Sequence, residues 1–117
     1  MAKKKRRISR HRYPSKRFFK ERRNERNYDD PRYIAWRKEV FKRDGYECVW
    51  PNCPCKHRLQ AHHIRRWADF PSLRFVVSNG ATLCPKHHKM VYNKEDAYAA
   101  TFDKILEKQL KDKLNGL

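Results

Sequence analysis

Apolar positions are sparse and irregular up to Tyr28, and from there they recur at intervals that specify backbone. Tyr33, Trp36, Val40 and Phe41 fall near the helical period. Asp30 suits an N-cap, Pro31 the first helical position, Lys42 and Arg43 a last turn, and Gly45 a stop, which predicts a helix over 31–43. Leu59, Ala61 and His63 alternate with Gln60, His62 and Ile64, the mark of a short strand ending near two histidines. Ala81-Thr82-Leu83 reads as a second short strand. Pro85 then opens a helix over 85–92. Asn93 with Asp96 resembles a further helix start, and Tyr98, Phe102, Ile105 and Leu106 mark one face of a final helix to about Leu114, with Gly116 beyond it. Two segments resist regular structure. Cys48 to Cys55 is broken by Pro51 and Pro54, and 65–78 is a long connection whose Trp67, Phe70, Leu73 and Phe75 are expected to pack rather than to stack on bases. The elements predict an α+β domain over 28–117.

Charge adds a second segment. The 117 residues hold 30 Lys or Arg against 13 Asp or Glu, a net charge of +17. Residues 1–26 carry thirteen Lys or Arg and two Glu, a net of +11, which leaves +6 for the rest. Such a stretch cannot bury enough apolar surface to fold alone, so residues 1–27 are expected to be a basic, mostly disordered arm. Its density of charge attracts a polyanion, of which nucleic acid is the commonest, while a solubilising tail or a nuclear-localisation signal is the plainer reading. No apolar run spans a bilayer, and no apolar segment follows Lys3 to Arg7, which argues against a membrane protein or a secreted one. A cytoplasmic, reducing setting is expected, where four cysteines read as metal ligands rather than disulfides.

All four cysteines and five of the six histidines fall between residues 48 and 88. A structural zinc takes four N or S ligands, usually as two close pairs from separate loops. Cys48 and Cys53 make one pair and Cys84 with His87 the other, the latter at i, i+3 near a helix start, where both groups share a side. Cys55 is an alternative to Cys53. The plainer reading of the set is buried, inert cysteines with surface histidines. His87 and His88 are adjacent, and adjacent helical residues point about 100° apart. If His87 completes the zinc site, His88 faces other space, and His62, His63 and His88 form a second group that a structural zinc does not explain. A small domain with a staple of this kind is physically reasonable, since a chain of this size builds only a modest core.

The residues Cys48-x4-Cys53, Ala61-His62-His63-Ile64, Asn79-Gly80-Ala81-Thr82-Leu83-Cys84 and Cys84-Pro-Lys-His87-His88 together resemble the HNH endonucleases, whose core is the ββα-metal fold: a short β-hairpin plus a helix. The likeness covers about residues 36–106 and is greatest to small phage-encoded members. One departure is Cys84-x-x-His87-His88, where such proteins more often show Cys-x-x-Cys-His. The resemblance implies a hairpin-and-helix core stapled by zinc and flanked by an N-terminal and a C-terminal helix. It implies His63 as general base, His62 and His88 as ligands of a catalytic divalent ion (Mg²⁺, Mn²⁺, Ni²⁺ or Zn²⁺), and Asn79 as the residue that holds the loop of the base. Cys48, Cys53, Cys84 and His87 would hold structural Zn²⁺. Some related enzymes carry a glutamate at the place of Glu95 that is linked to the metal site, whereas from the residues alone Glu95 is an ordinary acid in a first helical turn. Asn79-Gly80, likewise, reads by itself as a turn.

The implied activity is metal-dependent hydrolysis of DNA phosphodiester bonds, with phage DNA packaging as a setting by family likeness only. The chemistry is coherent: imidazole titrates near pH 6.5 and serves as a base at neutral pH, and two protein ligands leave an ion open to phosphate and water. Arg43, Arg65, Arg66 and Lys89 are candidate phosphate contacts. The competing reading is a non-catalytic zinc-knuckle protein that binds DNA or RNA, which leaves His62, His63 and His88 without a role. A zinc-stabilised, ribosome-associated basic protein is a third.

Overall fold

The computed structural model describes residues 27–116; the basic arm expected at the N-terminus therefore lies, apart from Asn27, outside the described residues. The first helix, α1, spans Pro31–Arg43. Asp30 caps it, its carboxylate accepting the Arg32 N–H at 2.8 Å, and Lys42 and Arg43 sit in the last turn, where positive charge suits the helix dipole. Beyond Asp44, Gly45 takes φ +67°, a left-handed conformation that costs glycine little. Strand β1 is Gln60–His63 and strand β2 is Gly80–Leu83. They pair antiparallel, Gln60 opposite Leu83 and His63 opposite Gly80. The connection between them, expected to be irregular, contains two short 3-10 turns at Pro71–Leu73 and Val77–Asn79. Helix α2 covers Pro85–Val91 and α3 covers Glu95–Asn115. The start of α3 differs from expectation: Lys94, not Asn93, precedes it, and Asn93 is instead the left-handed link from α2, at φ +62°.

A two-residue side-chain period sends alternate residues of a strand to opposite faces, and this hairpin has a core on each. On one side lie Ile64, Ala81, Leu83, Cys48, Cys84, Val91 and Phe102. On the other lie Tyr33, Trp36 and Val40 of α1 with Ala61 and Trp67. His62 goes with the first face and packs 5.2 Å from the Phe102 ring. His63 goes with the second and stacks on Trp36 at 4.0 Å with an 11° interplanar angle. Trp67 is buried, as expected, but Phe70 is exposed.

Asp44 ties three elements together. Its side chain is fully buried and accepts from Arg43 at 2.7 and 2.8 Å, from the Thr82 N–H at 3.0 Å and from Gln109 at 3.0 Å. Arg43 also donates to the Val77 and Gly80 carbonyls, so it is committed to the fold rather than presented to phosphate. Among the described residues no helix is long and apolar enough to cross a membrane.

Candidate functional site

Two centres share α2, His87 belonging to one and His88 bordering the other. The first is a group of four donors from two loops. The Cys48–Cys55 loop turns through Asn52 at φ +63° and is closed by the Cys48 N–H donating to the Cys55 carbonyl at 3.0 Å and the Cys53 N–H donating to the Trp50 carbonyl at 3.1 Å. It is fixed to the hairpin where the Val49 N–H donates to the Thr82 carbonyl at 2.9 Å. Cys84 and His87 come from the start of α2. The donor atoms of Cys48, Cys53, Cys84 and His87 all lie within 4.8 Å of one another. Cys53 Sγ is 3.9 Å from Cys84 Sγ, and His87 Nδ1 is 3.6 Å from Cys48 Sγ and 3.3 Å from Cys84 Sγ. Tetrahedral zinc, with Zn–S near 2.3 Å and Zn–N near 2.0–2.1 Å, sets S···S at about 3.8 Å and S···N at about 3.6 Å. The four residues thus form a site that can hold a structural metal such as zinc. Cys55 is outside it: its thiol lies 3.7 Å from the His57 carbonyl.

The chemistry of the four donors suits such an ion. Burial pushes the Cys48 thiol up to about 12, and a divalent cation offsets this by favouring the thiolate. Burial also acts to raise Cys84, but the His87 N–H, the thiols of Cys53 and Cys48 and the Lys86 N–H together outweigh it and hold Cys84 below the ordinary thiol value. Burial, aided by the Lys86 charge, holds His87 below the ordinary histidine value and so favours the neutral, ligating imidazole. Trp50 stacks on the His87 ring at 5.2 Å and meets Phe102 edge-on at 5.8 Å, joining the metal loop to the core.

The second centre is a cleft of about 1110 Å³ lined by β1, one largely exposed side of α1 and the end of α2. His62, His63, His88 and Glu95 all line it, and so do Tyr33, Arg37, Lys38 and Arg66. The rings of His62 and His88 are 5.9 Å apart and nearly perpendicular. Glu95 presents a buried Oε1 with no hydrogen-bond partner, while its Oε2 accepts the Asn93 N–H at 3.2 Å. His63 Nε2 lies 3.0 Å from the Arg74 carbonyl. A carbonyl only accepts, so Nε2 is the nitrogen that carries the proton.

Asn79 is buried and does not lie in the cleft. Its Oδ1 accepts the Arg65 N–H at 2.8 Å, and its Nδ2 donates to the Arg65 carbonyl at 3.2 Å and the Leu73 carbonyl at 3.3 Å. It therefore pins the segment whose next carbonyl, that of Arg74, holds His63. Arg74 itself donates to the Trp67 carbonyl at 2.7 Å and lies over the Trp67 ring. Sequence reasoning had no way to find Arg74, because it acts through its backbone. Of the cations proposed as phosphate contacts, Arg65 is paired with Asp103 of α3 at 2.9 Å and Arg66 with Asp69 at 2.6 Å, while Lys89 is exposed on α2. Arg37 and Lys38, which sequence reasoning passed over, are the exposed cations of α1 that line the cleft.

No family model, curated protein or solved structure matches this chain.

Proposed function

We propose that the protein is a metal-dependent endonuclease of the HNH type, with a ββα-metal core, that hydrolyses DNA phosphodiester bonds. The observation that supports this reading is that His62, His63, His88 and Glu95 all line one open cleft, although His62 and His63 stand on opposite faces of the hairpin, and that this cleft is distinct from the four-donor metal group. A purely structural protein needs the second group but not the first.

His63 would be the general base. In the neutral ring, donation from Nε2 to the Arg74 carbonyl puts the lone pair that would take a proton on Nδ1, an atom that is itself buried. Trp36 holds the ring plane, and Asn79 holds the loop that supplies the carbonyl. His62 and His88 would hold the catalytic ion. With Zn–N near 2.0–2.1 Å, imidazoles sharing one ion place their centres roughly 5 Å apart, so the two rings, 5.9 Å apart, would have to draw together by about 1 Å to share one. The unsatisfied Glu95 oxygen in the same cleft is a third donor of suitable chemistry. Such an ion, when bound, would stabilise charge on the phosphate and on the leaving oxygen.

A single experiment tests the reading. Supercoiled plasmid is incubated with the purified protein and Mg²⁺, Mn²⁺, Ni²⁺ or Zn²⁺ in turn, and with the His63→Ala variant. Nicked or linear product is expected for the wild type with at least one ion. The variant is expected to lose about 10²-fold or more of the rate, with zinc content, circular dichroism and DNA binding retained.

One observation favours a second reading. His62 and His63 are only 4% and 2% exposed and pack on aromatic rings, as structural histidines do. On that reading the protein is a non-catalytic zinc-knuckle binder of DNA or RNA. Absence of cutting with all four ions would decide for it.

A further inference from the structure

The rim of the cleft is aromatic as well as basic. Tyr28 and Tyr92 both line it, and both are well exposed, at 61% and 59%. Tyr28 comes from the α1 side, where it meets the buried Tyr33 edge-on at 5.1 Å. Tyr92 comes from the end of α2 and lies 6.0 Å from the His88 ring. Ile34, 43% exposed, adds a third apolar surface to the same cleft. Residues 33, 34, 37 and 38 fall on one side of α1 at helical spacing, so the face that carries Tyr33 and Ile34 also carries Arg37 and Lys38. Neither of those cations makes an ion pair among the described residues; Arg37 lies over the Phe41 ring at 4.6 Å.

Cations that neutralise phosphate, interleaved with exposed aromatic faces, are the chemistry by which single strands are held. In a duplex the faces of the bases are covered by their neighbours, and two exposed tyrosines gain little from it. An unpaired base offers its whole face. We infer that the cleft takes nucleic acid with unpaired bases, stacked on Tyr28 and Tyr92 while Arg37 and Lys38 hold the backbone between them. This inference rests on the reading of the cleft as a nucleic-acid site and adds to it a preference for single strands or for junctions with unpaired nucleotides.

The test is binding, measured by fluorescence anisotropy at fixed salt with the full-length chain in the His63→Ala background, so that no probe is cut. The probes are a 20-nucleotide unstructured DNA single strand, the RNA of the same sequence, and the blunt DNA duplex. Tyr28→Ala and Tyr92→Ala are each expected to weaken single-strand binding on the order of 5- to 100-fold, with duplex binding changed less than about 2-fold, as phosphate contacts remain. Tyr→Phe at either position keeps the ring and is expected to keep the affinity. The two single-stranded probes show whether the sugar is also read. Because Tyr28 packs on Tyr33, its variant is checked by thermal denaturation. If it does not fold, Tyr92→Ala and quenching of 2-aminopurine placed along the wild-type-bound strand answer the same question.

Equal losses on single strand and duplex, no loss on either, or a Tyr→Phe change as damaging as Tyr→Ala overturns the inference. The two readings fail separately. Cutting that needs His63 but ignores the tyrosines leaves an endonuclease without a preference for unpaired bases. Stacking without cutting leaves a non-catalytic binder of unpaired strands.

Discussion

Gly80 shows how much one missing methyl group can decide. A Cβ at this position would stand 2.5 Å from Val40 Cγ2 and 2.8 Å from Trp36 Cζ2, both on buried side chains of α1. Val40 is β-branched and fully buried, and Trp36 is held by its Nε1–H donating to the Val76 carbonyl at 2.9 Å. Neither can move aside cheaply. Gly80→Ala is expected to destabilise the fold by about 1–3 kcal/mol, which lowers the melting temperature by about 4–8 °C per kcal/mol in a domain of this size. Thermal denaturation followed by circular dichroism measures it, and a melting temperature unchanged by the substitution would contradict this close approach of α1 to β2. By themselves Asn79-Gly80 read as a turn, and a 3-10 turn does end there; the structure adds that the glycine admits α1 and that the asparagine ties two loop segments, a loop-holding place of the kind the resemblance implied. The glycine depends on α1 about forty positions away and the asparagine on Arg65 fourteen away as well as on Leu73 six away, separations that no local pattern encodes. His62 and His63 were more legible, since strand alternation alone places them on opposite faces.

At the level of elements, the α1, β1, β2 and α2 boundaries follow closely from capping residues and apolar period, because the determinants are local. What spacing left open was the choice between Cys53 and Cys55. Two thiols so close in a proline-rich loop can exchange roles on paper, and only the folded loop separates them: Cys53 Sγ lies 3.9 Å from Cys84 Sγ, while Cys55 lies beside the His57 carbonyl. The consequence is measurable. The purified protein is expected to carry one equivalent of zinc by elemental analysis. Cys53→Ser is expected to lose the metal together with several degrees of thermal stability, since binding energy at such a site is folding energy. Cys55→Ser is expected to keep both. If the two serine variants behave alike, Cys53 is not the fourth ligand.

For the whole molecule, charge is the dominant property. The +17 total is concentrated in residues 1–26, with a net of +11. A segment of that charge raises affinity for any nucleic acid through release of counterions, independently of sequence. On the proposed endonuclease reading, deleting residues 1–26 is expected to weaken duplex binding and to flatten the plot of log affinity against log salt, while turnover of already bound substrate changes little. A titration series from low to physiological salt reads the slope, and equal losses in affinity and turnover would count against a separate role for the arm. The cleft was less legible than the charge, since its walls come from α1, β1 and α2 and only the fold brings them into register. One further consequence follows from the seven-residue helix α2, whose His87 belongs to the four-donor group while His88 borders the cleft. The two sites share a single rigid peg, and neither can be retuned alone. Insertion or deletion of one residue between Cys84 and His87 would rotate both imidazoles together by about 100° about the helix axis, so a change at one end of this helix is felt at both places.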